Sequence, residues 1–202
     1  MKSKILIIAA IVLLIIIVAG VWFYLNKTEN SNISPEANQN NENQEEGKML
    51  VKDDFSIILP QGWAESPAAV EGVSALAYNT QESLTDKPAN DIGFVSYFSV
   101  APDVLGDYDM AGYKEYAKES LQAVLGSVQY SNEQKFSINN KEAYAIEMDL
   151  NQESVDFKVL MFFIKGNNND VWTLSFNTVA SAWNDYKDSF YQSVESFIVK
   201  IK

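Results

Sequence analysis

The 202-residue chain contains no cysteine, no histidine and no arginine; all fifteen basic residues are lysines. Without cysteine there are no disulfides and no thiol chemistry. Without histidine there is no Ser-His-Asp or Cys-His arrangement and no His-ligated zinc. Without arginine the bidentate fork favoured for phosphate is missing. Glycine-rich phosphate loops and a Ser-x-x-Lys pattern are also absent. The net charge of −12 repels a nucleic-acid backbone. Most common reaction classes are excluded before any motif is considered.

What the chain does have begins with a long apolar run. Ile5 to Leu25 is 21 residues without a charged or polar side chain, apart from the tip groups of Trp22 and Tyr24. At 1.5 Å rise per residue, a helix of that length spans the hydrocarbon core of about 30 Å. Lys2 and Lys4 precede it, which favours a cytoplasmic N-terminus at residues 1–4, and Trp22, Phe23 and Tyr24 stand where an aromatic belt belongs. A cleaved signal peptide is the alternative. It calls for an apolar core of 7–15 residues and small residues before the cut. Here the run is longer, and bulky aromatics follow the small pair Ala19-Gly20. Residues 5–25 are therefore read as a signal anchor, with the rest of the chain outside the cytoplasm.

Residues 26–48 are rich in Asn, Glu and Gln, with Ile33 the one sizeable apolar side chain. Such a segment buries too little apolar surface to offset the entropy of ordering, so it reads as a disordered tether. Asn26-Lys27-Thr28 and Asn32-Ile33-Ser34 match the N-glycosylation pattern, as Asn-rich tethers do by chance.

From Met49 to Lys202 the hydrophobic pattern is strong and continuous, as in one globular domain, with twenty-two acids against eleven lysines. Phe55 to Leu59 reads as a strand that Pro60 ends, because proline gives no N–H to a ladder. Gly62 permits the turn, and Trp63 folds back as a core plug rather than serving as a ligand platform. Val73–Tyr78 and Ile92–Val100 read as further strands, with a polar loop over 79–91. Asp107 or Asp109 caps a helix whose apolar face is Met110, Tyr113, Ala117, Leu121 and Val124, closed by Gly126. A meander over 128–138, 141–150, 154–165 and 171–178 follows, turning at Asn139-Asn140 and at Gly166 to Asp170. In its third strand Val155, Phe157, Val159, Met161 and Phe163 line one face, while Leu160, Phe162 and Ile164 line the other; both faces of the sheet must be covered. Ser181 caps a last amphipathic helix carrying Trp183, Tyr186, Phe190, Val194 and Phe197. The expected fold class is α+β: a largely antiparallel sheet with helices covering both faces, an α/β/α sandwich, preceded by one transmembrane helix.

This order of elements resembles the PsbP/Mog1-like family. The residues that carry the resemblance are the opening strand into Pro60-Gln61-Gly62-Trp63, the central helix, the meander ending in Trp172 and Phe176, and the closing helix running into Phe197. Short bacterial members of that family often sit on an N-terminal anchor. The resemblance implies a non-enzymatic accessory role and no cofactor. Photosynthetic members assist the oxygen-evolving side of photosystem II, some members are linked to calcium, and others bind a small GTPase.

Two functional readings remain. One is a membrane-tethered binding or accessory module for an envelope protein or small ligand. The other is a carboxylate-based hydrolase acting on cell-envelope polymers, since acids are plentiful. The calcium candidate is Asp103, Asp107 and Asp109. Asp107-Tyr108-Asp109-Met110-Ala111-Gly112 opens like an EF-hand loop, but Lys118 stands at the twelfth place where a bidentate Glu is needed. The anchor has a direct test. The full chain is expected to stay with membranes through a carbonate wash, whereas residues 49–202 made alone are released; a mature N-terminus between residues 20 and 30 would contradict it.

Overall fold

A computed structural model describes residues 47–66 and 72–201. The expected membrane span and all but the last two residues of the expected tether lie outside the described residues. Among the described residues no helix is long and apolar enough to cross a membrane. Residues 47 and 48 already belong to the domain, since the Lys48 carbonyl accepts from the Leu59 N–H at 2.9 Å.

Among the described residues ten strands and three helices make an α+β domain of mostly antiparallel sheet. In chain order they are β1 (Met49–Val51), β2 (Phe55–Ile58), β3 (Trp63–Glu65), β4 (Ala75–Asn79), α1 (Lys87–Asp91), β5 (Tyr97–Val104), α2 (Met110–Leu125), β6 (Val128–Ile138), β7 (Lys141–Gln152), β8 (Val155–Lys165), β9 (Asp170–Val179), α3 (Trp183–Glu195) and β10 (Ile198–Val199). Seven strands form one antiparallel sheet in the order β3-β4-β5-β9-β8-β7-β6, and β1-β2-β10 form a second, smaller one.

The register of β8 explains the layering. Phe157, Val159, Met161 and Phe163 pack in one cluster with Met110, Tyr113, Ala117 and Leu121 of α2. Leu160, Phe162 and Ile164 pack in another with Phe55 and Ile57 of β2 and with Phe190 and Val194 of α3. One large sheet thus serves two cores. The helix α2 lies on one side, and α3 with the small sheet lies on the other.

The turn after the first core strand is built as its residues dictate. The Trp63 N–H donates to the Pro60 carbonyl at 3.2 Å. Gly62 sits at φ +79°, a conformation that side chains rarely adopt. The Thr80 N–H and hydroxyl then both donate to the Gly62 carbonyl. Trp63 is 4% exposed, with its ring edge-on to Phe190 at 5.6 Å and to Tyr186 at 6.1 Å.

Several boundaries differ from the sequence reading. Trp63 opens a strand of its own. The strand expected over 92–100 runs over 97–104, and the polar loop before it contains α1, capped by Asp86, which accepts from the Ala89 N–H. Ser181 does not cap α3: a 3-10 turn over Ala180–Ala182 leads in, and no side chain caps the helix. Val124 is exposed, and Leu125 packs in its place. Asp109 does cap α2, accepting from the Gly112 N–H at 2.7 Å, and Gly126 closes it at φ +75°.

Truncation at the turn should be costly. Trp63→Ala deletes a large buried side chain and is expected to cost about 3–5 kcal/mol, lowering the melting temperature by roughly 10 °C for a domain of this size. An unchanged melting temperature would mean that Trp63 carries no core packing.

Candidate functional site

The antiparallel pairing of β5 is uneven. β9 pairs with all eight of its residues, Tyr97 to Val104, but β4 pairs only with Tyr97 to Val100. The Ser74 N–H donates to the Val100 carbonyl and the Asn79 N–H to the Ser96 carbonyl. Even-numbered residues of β5 therefore present their main-chain groups to the β4 side. Beyond Val100 that side presents Pro102, which has no N–H, and Val104, whose N–H is bonded to its neighbour Asp103 through Oδ1 at 2.8 Å. Among the described residues, what the edge offers is two carbonyls without a partner.

β10 supplies a second edge. It pairs with β2 on one side and closes the small sheet on the other. The Lys200 N–H donates to the Asp54 carbonyl at 2.8 Å, so Val199 and Ile201 turn their main-chain groups away from β2. A cleft of about 700 Å³ lies between the two edges, lined by Pro102 and Val104 on one side, Val199 and Ile201 on the other, with Asp170 and Trp172 among its other walls. That volume is in the range of ligand sites. Its seam is fastened by the turn between β8 and β9. Asn167 donates to the Lys200 carbonyl at 2.9 Å and accepts from Lys141 Nζ at 3.0 Å. The Gly166 N–H donates to the Asp170 carbonyl at 2.7 Å, and Asn168 takes φ +56°, which asparagine tolerates.

The charges of the cleft are unbalanced in use. Asp54, Asp103 and Asp170 line it, with Lys141 and Lys200. Lys141 directs its ammonium to the Asn167 side chain and the Gly166 carbonyl, and Lys200 directs its own to the Lys52 carbonyl. Neither lysine is spent on Asp103 or Asp170. The walls combine apolar side chains, acid and main chain that has no strand partner among the described residues.

The residues named from sequence are placed as follows. Trp172 is buried at the cleft, packed on Phe55 at 5.2 Å and on Phe197 at 6.0 Å. Phe176 stacks on Phe190 at 4.8 Å, and Pro60, Gly62 and Trp63 form the turn described above. These six residues are packing and turn residues, and of them Trp172 alone borders the cleft. The calcium candidates are not gathered into a ligand set. Asp103 accepts from the Tyr113 hydroxyl at 2.7 Å, Asp109 is the helix cap, and Asp107 is exposed. Among the described residues no group of three or more Asp or Glu is placed to hold a metal. Burial and the Asp103 carboxylate push the Tyr113 hydroxyl well above the ordinary tyrosine range.

Among the described residues the one fully buried charge is Glu147, 1% exposed. Lys158 meets it at 3.2 Å and Lys187 at 3.6 Å, and both ammoniums lie within 6 Å of the Trp183 ring. This cluster fastens α3 to β7 and β8. Sequence reasoning missed Pro102, Val104, Asp170 and Val199. Pro102 was the available signal, because a proline inside an apolar strand marks an edge.

No family model matches the chain, and no curated protein matches it by sequence. Solved structures do match. LpqN, involved in cell envelope biogenesis of Mycobacterium tuberculosis, aligns at a TM-score of 0.57 with 13% identity, over 76% of this chain and 90% of that one. Cyanobacterial PsbP from Synechocystis aligns at 0.53 with 16% identity, over 83% and 100%. The Ran-binding protein Mog1p of Saccharomyces cerevisiae aligns at 0.52 with 12% identity, over 75% and 94%.

Dispersal of the three aspartates has a measurable consequence. Millimolar calcium is expected to move the melting temperature of the chain no more than millimolar magnesium does. A rise of several degrees specific to calcium would place a site on Asp103, Asp107 and Asp109. With both faces of its seven-stranded sheet covered and its first and last core strands joined in a second sheet, the chain has the PsbP/Mog1-like fold.

Proposed function

We propose that the chain is a single-pass, membrane-anchored module that works outside the cytoplasm and holds a partner protein in the cleft between β5 and β10, with no chemistry of its own. The observation that carries this reading is the cleft itself. It is large, and it joins apolar walls to main chain that has no strand partner among the described residues. Those are the means by which proteins hold other chains. The carboxylate-hydrolase alternative needs two acids aimed at one bond. Asp103 has both oxygens engaged by its own chain, and Glu147 is held by two lysines. Mog1p is itself a Ran-binding protein and LpqN is involved in envelope biogenesis, which is consistent with a binding role for a domain of this shape.

The absence of cysteine gives a clean test in cells. Asp188→Cys, at an exposed position of α3, is expected to react with a membrane-impermeant maleimide in intact cells, and Ser3→Cys only after lysis. Val104→Cys carrying a photoreactive maleimide should give a discrete adduct heavier than the 22.6 kDa chain, whereas Asp188→Cys should not. Labelling of Ser3→Cys in intact cells would overturn the topology. Adducts of equal yield at both domain positions would overturn the cleft as binding surface.

A further inference from the structure

We propose that the outer face of the small sheet β1-β2-β10 lies against the lipid bilayer beside the chain's own anchor. The proposal rests on the chain being membrane-anchored and assigns a surface separate from the cleft.

The face is apolar where a polar one is expected. Met49 pairs with Ile58, and Val51 and Ile198 both pair with Ser56. Residues paired in this way share a face. Phe55, Ile57 and Leu59 point into the core, so Ser56 and Ile58 between them turn outward. Met49 and Val51 are each 58% exposed and Ile198 is 49% exposed. The solvated face of an antiparallel sheet normally alternates to polar residues. Here four apolar side chains surround one serine. None of the three strands contains an acid, in a domain with twenty-two acids against eleven lysines. An anionic headgroup layer therefore repels this face less than the rest of the domain.

The chain enters the domain at the same place. Gly47 is packed so closely on β2 that a Cβ there would stand 3.1 Å from Ile58 Cγ2. The Lys48 carbonyl is bonded to the Leu59 N–H. The stretch from Asn26 to Glu46, between the expected anchor and this point, would span roughly 25 Å as a coil. The patch is thus held within reach of the bilayer, and a weak contact becomes an intramolecular one at an effective concentration of about millimolar.

Other occupants fit less well. A stable dimer needs about 800 Å² and 20–30 residues from each partner. Three strands of three, four and two residues do not supply that. The stretch over 26–46 is Asn-, Glu- and Gln-rich, with Ile33 as its one sizeable apolar side chain, so it has little to cover the face with. Lipid needs no shape match and gains from burial of any apolar side chain. Ile198 would meet the bilayer while Val199 and Ile201 line the cleft, so the contact would hold the cleft close to the membrane surface.

The test uses the full chain in phosphatidylcholine vesicles, with single cysteines carrying the dye NBD and nitroxide-labelled lipid as quencher. Apolar faces on membranes sit about 5–10 Å into the boundary of headgroups and acyl chains. Dye at Val51→Cys or Ile198→Cys should therefore shift to the blue, and nitroxides near the top of the acyl chains should quench it at least about twofold more than dye at Val124→Cys on α2. Adding Val51→Glu to Ile198→Cys, with the melt unchanged, should remove the difference. Equal quenching at all three positions would overturn the contact. A blue shift without nitroxide quenching would also overturn it: if the shift is lost when chains are diluted to one per vesicle, a second copy covers the face, and if it persists, the chain's own N-terminal stretch does. A chain that floats with vesicles yet shows no quenching at 51 and 198 keeps its anchor and loses this contact. A chain that does not float loses both.

Discussion

Strand β8 has to be covered twice, and the rest of the domain is arranged around that requirement. Its side chains from Phe157 to Ile164 are buried on both faces except for Lys158. Water must be kept from each face, and no single layer can do so. The helix α2 closes one face. The other is too broad for α3 alone, and Phe55 and Ile57 of β2 complete it. The chain therefore has to bring its start and its end to the same side. It does so by pairing β10 with β2 and by seating Phe197 against Phe55 at 5.4 Å. The cleft is a product of that arrangement: it forms at the seam where the small sheet meets the end of the large one.

How much of this was legible in the sequence depended on length and periodicity. The meander could be read closely, because β6 to β9 are long and alternate strongly, and the Asn139-Asn140 and Gly166–Asp170 turns carry their own signals. The helix α2 was equally plain, from its Asp109 cap to Gly126. Three-residue strands such as β1 and β3 have too few positions for a period to show, and β10 is shorter still. They exist because a partner strand supplies the other half of each ladder. The helix α1 was hidden in a polar stretch whose single buried residue is Ala89. For α3, a serine two residues before the helix looked like a cap, but the chain enters by a 3-10 turn and needs none.

The candidate site was almost illegible for a related reason. Nothing about Pro102, Val104, Asp170 or Val199 is chemically distinctive in isolation. Their meaning comes from which strand stops pairing where, and that is a property of registers between segments distant in the chain. Trp172 was named as a packing residue, and it is one; it also borders the cleft. The three aspartates looked like a metal loop because capping and calcium binding draw on the same side chains at the same spacing.

A scaffold of this kind suits a binding role better than a catalytic one. The turn from Gly166 to Asp170 fastens the seam through Asn167, and the buried charge at Glu147 is met by two lysines. Amide hydrogen exchange on the full chain, alone and with the cellular partner captured through position 104, tests the central claim most directly. If the cleft between β5 and β10 is the working surface, exchange should slow over residues 198–201 and stay unchanged along β6 from Val128 to Ile138. Protection along β6 with the 198–201 segment unaffected would contradict it.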